Sequence, residues 1–368
     1  MKVIAYYLPQ YHEIPENNEW WGKGFTEWVN VKKAQPIFKG HYQPRIPGEL
    51  GYYDLSESDT QLKQTELAKK AGIDAFCYWH YWFGNGKLLL EKPFEHLLAD
   101  KRNNIGFCLG WANESWKSKQ WRYSGKGDKI LIEQLYPGEN DYIAHFNYVL
   151  SAFKDSRYFT YNGKPVFLIY RPNLIPDIKQ FIDLWNKLAI QNGLSGICFI
   201  ADIHNNYKLI PILRAAGIDY ITTCHANFSE YPIHKQIFFA LKNIITNRPI
   251  RTIDYKYLIN CTYTKKDLQN NIIPSVIPNW DHSPRSRNKC TIMHNSTPEL
   301  FKRQVCHTLS FFKQTGCPEF LFVKSWNEWG EGNYLEPDEK WGLQYIEKLN
   351  EALKLCKKQN FDNINKDE

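Results

Sequence analysis

The sequence lacks any long apolar segment. Its 368 residues contain no window close to the roughly 18 uninterrupted apolar residues that a membrane-spanning helix needs. The apolar run from 75 to 83 is already interrupted by His80. Only six apolar residues separate Lys2 from Pro9, which is too short for the core of a secretory signal. We therefore expect neither a membrane span nor a leader peptide.

An ordered cysteine pattern is also missing. The nine cysteines, an odd number, form no Cys-x-x-Cys pair, and most lie in apolar runs such as those around Cys77, Cys108, Cys198 and Cys224. This usage is typical of buried free thiols in a reducing compartment. Together with the absence of a leader, it predicts a cytoplasmic protein.

Charge of one sign is in only mild excess. The 46 lysines and arginines against 39 aspartates and glutamates give a net charge of +7, so we expect no nucleic-acid partner. Aromatic residues, in contrast, make up 15% of the chain, with 13 Trp and 23 Tyr. Rings with a flat face and a polar edge suit ligands such as sugars, which combine C–H faces with hydroxyl rims.

Eight short apolar runs, rich in β-branched and aromatic residues, recur along the chain. They lack strict alternation, as expected for parallel strands buried on both faces. Helix-period segments lie between them, and several end at a glycine such as Gly72 or Gly217, where a left-handed residue is favoured. This alternation predicts an α/β fold, a single (β/α)8 TIM-type barrel. The strand runs cover 3–8, 74–81, 105–111, 165–170, 196–201, 220–224, 272–277 and 320–325, and the helical segments cover 62–71, 141–154, 181–191, 210–216, 300–315 and 342–357.

The connections from strand to helix are often long. In a barrel such βα-loops lie at the C-terminal face, where active sites are built. A doubly wound sheet is the alternative, but no glycine-rich phosphate loop follows any run. No linker divides the chain, so we predict one catalytic domain over 1–360 and a polar tail over 361–368. The long loops cover 9–57, 111–140, 225–270 and 278–296.

The strongest chemical signal follows the eighth run, in residues 325–332. If the chain forms a helical turn there, Glu328 and Glu331 face the same space. Two neighbouring carboxylates do not both ionise easily, so one becomes a proton donor while its partner stays charged, as cleavage of a glycosidic bond requires. The alternative is a solvated acidic turn. The flanking Trp326 and Trp329 argue against it, because they would desolvate the pair.

A second group of this kind follows the third run, in residues 111–116. Glu114 could orient a hydroxyl or assist the acid–base pair, while Trp111 or Trp116 stacks on a sugar ring. The alternative is that these tryptophans, with Trp121, only plug the top of the barrel.

Aromatic side chains also lie beside hydrogen-bonding side chains at the ends of other predicted strands. Each ring alone is as compatible with core packing as with ligand contact, but together they predict a sugar pocket. Arg285 and Arg287 could hold an anionic group, although solvated arginines are the commoner case. The candidate substrate-binding residues are Tyr6, Tyr7, His12, Trp79, His80, Trp111, Asn113, Glu114, Trp280, Asp281, Trp326, Asn327 and Glu336.

Histidines near strand ends raise the alternative of a metal-dependent hydrolase. No His-x-His or His-Glu-x-x-His spacing occurs, and a Gly-x-Ser-x-Gly elbow is missing as well. We therefore predict no metal and no other cofactor. The histidines concerned are His12, His80, His204, His225 and His282.

Residues 232–257 mix apolar and basic side chains. A basic amphipathic stretch can lie on an anionic membrane surface, which makes peripheral membrane contact a prediction. The alternative is a helix that covers the rim of the barrel.

Taken in order, these motifs resemble the WbsX-like proteins of bacterial O-antigen and capsule gene clusters, which are usually labelled glycosyltransferases. Their barrel is similar to that of glycoside hydrolase family 99, the endo-acting α-mannosidases. The resemblance spans nearly the whole chain. The motifs that carry it are Ala5–His12, Trp111–Glu114, Trp280–Asp281, Ser325–Gly332 and Glu336–Pro337.

The resemblance implies roles for the acidic pair. Glu331 would be the general acid/base on the glycosidic oxygen, and Glu328 the base towards the sugar's own 2-hydroxyl, which attacks as internal nucleophile with retention. Gly330 departs from the hydrolases, which commonly carry histidine there. We therefore expect a glycan-processing enzyme of surface polysaccharide metabolism that acts on a mannose-like α-linkage. The alternatives are a glycosyltransferase with a nucleotide- or lipid-linked donor and a non-catalytic glycan-binding protein.

Overall fold

The computed structural model of the protein describes residues 1–118, 129–223, 233–249, 251–286, 290–315 and 320–364. The candidates Trp121, Cys224, His225 and Arg287 lie outside the described residues. Short strands account for most of the extended segments. The strands are β1 (Lys2–Tyr7), β2 (Ala75–Trp82), β3 (Leu88–Leu89), β4 (Gly106–Trp111), β5 (Trp116–Lys117), β6 (Ile130–Ile132), β7 (Thr160–Tyr161), β8 (Lys164–Ile169), β9 (Cys198–Asp202), β10 (Tyr220–Thr222), β11 (Thr252–Asp254), β12 (Ile272–Ile273), β13 (Ser275–Val276), β14 (Ile292–His294), β15 (Phe320–Val323), β16 (Asn327–Glu328) and β17 (Asn333–Tyr334).

The central sheet is a parallel barrel. Its strands follow the order β12-β10-β9-β8-β4-β2-β1-β15-β13. The seventh strand is interrupted by Pro274, which has no N–H to donate to a sheet ladder. The half before it, β12, pairs with β10, and the half after it, β13, pairs with β15. The carbonyl of Pro274 accepts a hydrogen bond from the N–H of Phe322 at 2.9 Å. The two halves thus close the sheet, which confirms the predicted (β/α)8 barrel.

Helices surround this barrel. Each of the six segments predicted from helical periodicity is helical. Ile233–Ile245 is helical as well, within the segment 232–257 for which a helix was one alternative. The short helices Pro15–Trp21 and Glu27–Lys33 were not predicted. Helix α13 continues to Ile364, so the proposed tail begins within it, and 365–368 lie outside the described residues. The helices are α1 (Pro15–Trp21), α2 (Glu27–Lys33), α3 (Ser58–Ala71), α4 (Lys92–Ala99), α5 (Glu139–Phe153), α6 (Ile178–Gln191), α7 (Ile210–Ala216), α8 (Ile233–Ile245), α9 (Tyr255–Leu258), α10 (Lys265–Gln269), α11 (Ser283–Ser286), α12 (Pro298–Phe312) and α13 (Gln344–Ile364).

Two glycines end helices as their sequence context predicts. Gly72 after α3 has φ 82°, and Gly217 after α7 has φ 100°, so both adopt the left-handed conformation that a residue with a Cβ atom rarely takes. Cys77, Cys108 and Cys198 are buried in the barrel strands. None of the described helices has the length and apolarity needed to cross a bilayer.

Candidate active site

A cavity of about 310 Å³ opens where the barrel strands end. One part of its lining is aromatic and consists of Trp79, Tyr81, Trp116, Tyr170 and Trp280. The rest is mostly polar. The cavity adds Gln10 and Lys324 to the residues that the sequence singled out, of which it brings together Trp79, Glu114, Trp116, Trp280, His282, Arg285, Glu328 and Glu331.

The acidic pair lies in the short loop that follows the eighth strand. Glu328 ends β16, and Glu331 ends a single 3₁₀ turn over Trp329–Glu331. Gly332 then takes φ 54°, and a Cβ atom there would lie 2.8 Å from the Cβ of Asp281. A glycine is therefore required for the turn that directs both carboxylates into the cavity. The two side chains keep only 13% and 15% exposure.

Arg285 of α11 contacts both members of this pair. Its Nη1 donates to Oε1 of Glu331 at 2.6 Å and lies 3.7 Å from Oε1 of Glu328. Nε2 of His282 lies 3.5 Å from the same Glu331 oxygen. The guanidinium therefore binds Glu331 much more closely than Glu328.

This asymmetry gives the two carboxyl groups opposite proton affinities. Burial, followed by the negative charge of Glu331, raises the pKa of Glu328 well above that of an ordinary glutamate. Burial alone would raise the pKa of Glu331 as well, but Arg285 and His282 outweigh it and hold that pKa far below its usual range. At neutral pH the pair therefore carries one proton, on Glu328.

A third carboxylate, Glu27, lies behind the pair. It is fully buried at the start of α2, and its Oε2 accepts hydrogen bonds from Nη2 and Nε of Arg285 at 3.0 and 3.2 Å. A Cβ atom on Gly330 would lie 1.7 Å from this oxygen, so the Glu27 carboxylate occupies the space that any side chain at 330 would need. Sequence reasoning assigned Glu27 no role of its own, and the glycine at 330 was the one signal that could have pointed to it.

The two Asn-Glu motifs are built alike. Asn327 accepts from the N–H of Leu8 at 2.7 Å and donates to the carbonyl of Leu8 at 3.0 Å. Asn113 accepts from the N–H of Arg171 at 2.7 Å and donates to its carbonyl at 2.9 Å. In both motifs the buried asparagine ties its loop to a neighbouring strand end, and the following glutamate lines the cavity. Asn113 and Asn327 therefore support the site rather than line it.

Several other predicted binding residues face away from the cavity. Trp79 of β2 lines it, but the next residue, His80, points outwards to α5, where its Nε2 lies 2.8 Å from Nε2 of His145. Burial lowers the pKa of His80 to about 3. Trp111 is also buried, and its indole N–H donates to the carbonyl of Trp82 at 2.9 Å. Successive residues of a strand point to opposite faces, which separates Trp79 from His80.

Three aromatic candidates belong to the core beneath the cavity. Tyr6 stacks on Trp79 with ring centres 4.9 Å apart and therefore supports the wall. The hydroxyl of Tyr7 donates to Gln64 at 2.7 Å, on the other side of β1. Trp326 is fully buried, with its ring centre 5.3 Å from that of Phe76.

The remaining polar candidates are held in the protein interior. Glu336 accepts hydrogen bonds from Trp329, Gln64 and Tyr53 at 2.7 to 2.9 Å, and burial raises its pKa to about 7. These bonds fix Trp329 within the loop that carries Glu328 and Glu331.

Asp281 and His12 are likewise internal. One oxygen of Asp281 lies 2.7 Å from Nε2 of His41 and accepts from Gln43 at 2.7 Å. Burial alone would raise the pKa of Asp281, but the hydrogen bond to His41 and the positive charge of Arg45 outweigh it and lower this pKa to about 2. Nδ1 of His12 lies 3.0 Å from the carbonyl of Pro9, and burial lowers the pKa of this histidine. We expected both side chains to contact substrate, but both lie outside the cavity lining.

Within the described part of the chain, no three histidine, cysteine, aspartate or glutamate side chains are grouped so that they could hold a metal ion. The carboxylates of the cavity instead have cationic partners. Besides Arg285, Arg171 donates to Glu114 at 2.9 Å.

Comparison with known proteins gives consistent results for this chain. The model of the family described as glycosyltransferase WbsX matches residues 3–349. An uncharacterised protein, WxcX of Xanthomonas campestris pv. campestris, is 34% identical over 358 residues, which is 95% of this chain and 49% of WxcX. The chain thus spans about half the length of the curated relatives it matches.

Solved structures share the fold. The GH99 endo-α-mannosidase from Bacteroides thetaiotaomicron superposes with a TM-score of 0.61 at 15% identity, covering 98% of each chain. A glycoside hydrolase-like protein gives a TM-score of 0.57 at 14% identity, covering 95% of this chain and 93% of its own. The fold is therefore that of the GH99-like barrels, and the chain itself belongs to the WbsX glycosyltransferase family, a family of carbohydrate-active enzymes.

Proposed function

We propose that the protein cleaves or transfers a mannose-like α-glycosidic bond, with retention, in bacterial surface polysaccharide metabolism. The observation that carries this proposal is the pair Glu328 and Glu331 on the wall of an aromatic cavity, with pKa values displaced in opposite directions. A pair of this kind supplies one proton donor and one base, which glycosidic bond cleavage requires. Family membership and the related barrel fold support a glycan as the substrate.

The spacing of the pair favours retention. The Oε1 atoms of Glu328 and Glu331 lie 3.7 and 2.6 Å from the same Nη1 atom of Arg285. The sum of these two distances is the largest separation that the two oxygens could have. This sum is still shorter than the about 6.5–9.5 Å between the carboxyl groups of inverting glycosidases.

We assign the roles that the family resemblance implies. Glu331 protonates the glycosidic oxygen as its bond to the anomeric carbon breaks. Glu328 takes the proton of the sugar's 2-hydroxyl, whose oxygen attacks the same carbon from the opposite face. Water or an acceptor hydroxyl then attacks the anomeric carbon with a second inversion and gives its proton to Glu331, while Glu328 returns its proton to the 2-oxygen as the bridge opens.

These roles require that the single proton of the pair lies on Glu331 when the glycosidic bond breaks. In the free protein the contact with Arg285 places it on Glu328. We therefore propose that a bound sugar draws Arg285 away from Glu331, which raises the pKa of Glu331 and lets the proton pass between the two carboxyl groups.

Incubation with a panel of α-linked mannosides tests this function, with products identified by mass spectrometry and with nucleotide-sugar donors present or absent. We expect product from the wild type without donor, and a loss of turnover of at least about a hundredfold in Glu328→Gln and Glu331→Gln. Glu347→Gln, at an exposed position of α13, is the matched control and should keep full activity. Full activity of both site variants would refute the proposal.

An activated substrate separates the two roles. An aryl mannoside whose leaving group departs without protonation should restore turnover in the variant that lacks the acid, so we expect recovery in Glu331→Gln and none in Glu328→Gln. Recovery only in Glu328→Gln would exchange the assignments.

One cation favours a second candidate, a glycosyltransferase. Lys324 lines the cavity with its Nζ 4.7 Å from the ring centre of Trp280, and among the described residues no carboxylate lies within ion-pair distance of it. An ammonium in this position suits the phosphate of a nucleotide- or lipid-linked donor. Products that form only when donor is present would select this function, and binding of glycan without any turnover would select a glycan-binding protein.

A further inference from the structure

Helix α8 presents a row of uncovered apolar side chains. Six large ones are exposed by 56% to 83%, although such residues are normally buried. Elsewhere on the described surface, large apolar residues such as Ile190 and Ile212 are exposed singly, which is ordinary for a soluble surface. The six residues, hereafter the α8 face, are Ile233, Ile237, Phe238, Leu241, Ile244 and Ile245.

The α8 face is one continuous side of a well-anchored helix. At 3.6 residues per turn, its six positions fall within less than half of the helix circumference. The opposite side holds Phe239 and Asn243, which are buried. Phe239 packs in a core cluster with Tyr255 and Leu258, and the side chain of Asn243 donates to the carbonyl of Thr252 at 3.0 Å. The side chains of the α8 face are therefore exposed although the helix itself is packed against the rest of the protein.

The charged side chains of α8 and of the turn that follows it are all of one sign. Residues 233–249 contain Lys235, Lys242 and Arg248 and no aspartate or glutamate. On the helical wheel the two lysines fall at one border of the face. Both are exposed, and neither has a carboxylate within ion-pair distance among the described residues. An apolar face bordered by cations is the arrangement of helices that lie in the headgroup region of anionic membranes.

The helix also lies near the candidate active site. The cluster that holds Phe239 includes Trp280, which lines the cavity. Helix α8 belongs to the long connection after β10, on the side of the barrel where the strands end. Through this cluster, α8 is linked to one wall of the cavity.

We propose that the α8 face docks the protein on a membrane that contains anionic phospholipid, with the helix lying in the interface. A membrane fits better than a second copy of this chain. The same face of a second copy would bring further cations, and no anions, next to Lys235 and Lys242. One consequence rests on the proposed function: the substrate or donor would be a glycan attached to a membrane lipid, presented at the rim of the cavity.

Sedimentation with vesicles tests the proposal without any assay of turnover. We expect the intact protein to sediment with vesicles of phosphatidylcholine and phosphatidylglycerol, and much less with phosphatidylcholine alone. Ile237→Glu combined with Leu241→Glu should lower the partition coefficient by at least about tenfold. Lys235→Gln combined with Lys242→Gln should lower it by about tenfold, and added salt should weaken binding of the wild type.

Two matched controls keep the result interpretable. Ile190→Glu and Ile212→Glu change residues that are 65% and 62% exposed on other helices, so these variants should bind vesicles like the wild type. Circular dichroism should show that all variants unfold at the wild-type temperature. Equal binding of the α8 variant and the controls would overturn the proposal. The proposal would also be overturned if the wild type bound neither kind of vesicle. This includes the case in which light scattering shows that the α8 face joins two copies of the chain.

Discussion

At the residue scale, the charge of the cavity depends on one guanidinium that contacts three carboxylates. Arg285 donates to Glu27 and to Glu331 and leaves Glu328 at 3.7 Å. A buried charge is tolerated only when it is paired and hydrogen-bonded. Arg285 and Oε2 of Glu27 are paired in this way, although Oε1 of Glu27 has no hydrogen-bond partner among the described residues, and Nη1 of Arg285 keeps Glu331 ionised.

The glycine at 330 is part of the same arrangement. Gly330→Ala should destabilise the protein by about 1–3 kcal/mol, because the new Cβ would overlap the Glu27 carboxylate, which is buried and held by Arg285. Urea denaturation gives the free energy of unfolding. In a Glu27→Ala background the same glycine substitution should cost clearly less, since the closest obstruction is gone and Nε of Arg285 lies 3.0 Å from the Cβ position. An equal cost in both backgrounds would show that Glu27 is not the obstruction.

At the element scale, the sequence predicted the barrel strands and six helices well, because buried parallel strands and amphipathic helices leave strong periodic signals. It could not show that the seventh strand divides at Pro274, since each half is only two residues long and is defined by pairing with a different neighbour. The short helices α1 and α2 were missed for a related reason. Helix α2, for example, spans seven residues, and its position depends on tertiary contacts of buried residues such as Trp28.

Helix ends offer a test at this scale. Gly72→Ala should lower the free energy of unfolding by about 1–2 kcal/mol, because the residue has φ 82°. Gly72→Asn is the matched control. It introduces the same Cβ atom, which meets Leu353 at 3.2 Å, but asparagine tolerates the left-handed conformation better. Denaturation curves should rank asparagine between wild type and alanine, and an alanine variant as stable as the wild type would contradict the role given to this cap.

At the scale of the whole molecule, the barrel brings together loops that are far apart in sequence. Glu27 follows the first strand, Arg285 the seventh, and Glu331 the eighth. The sequence placed the right segments at the correct end of the barrel. It did not determine which residues face the cavity, because the strand runs are apolar on both sides. The sequence therefore favoured neither Trp79 nor His80. Only the pairing of the strands determines which of the two side chains faces the cavity.

We infer that this assembly leaves a single proton on the acidic pair. The most direct test is a pH titration of the intact protein with ¹³C-labelled glutamate carboxyl groups, followed by NMR, with Glu328→Gln and Glu331→Gln used to assign the two signals. Glu328 has a raised pKa, so it should remain protonated above the ordinary glutamate value of about 4.3, whereas Glu331, with a lowered pKa, should stay ionised below it. If both signals titrate together near the ordinary value, the claim is contradicted.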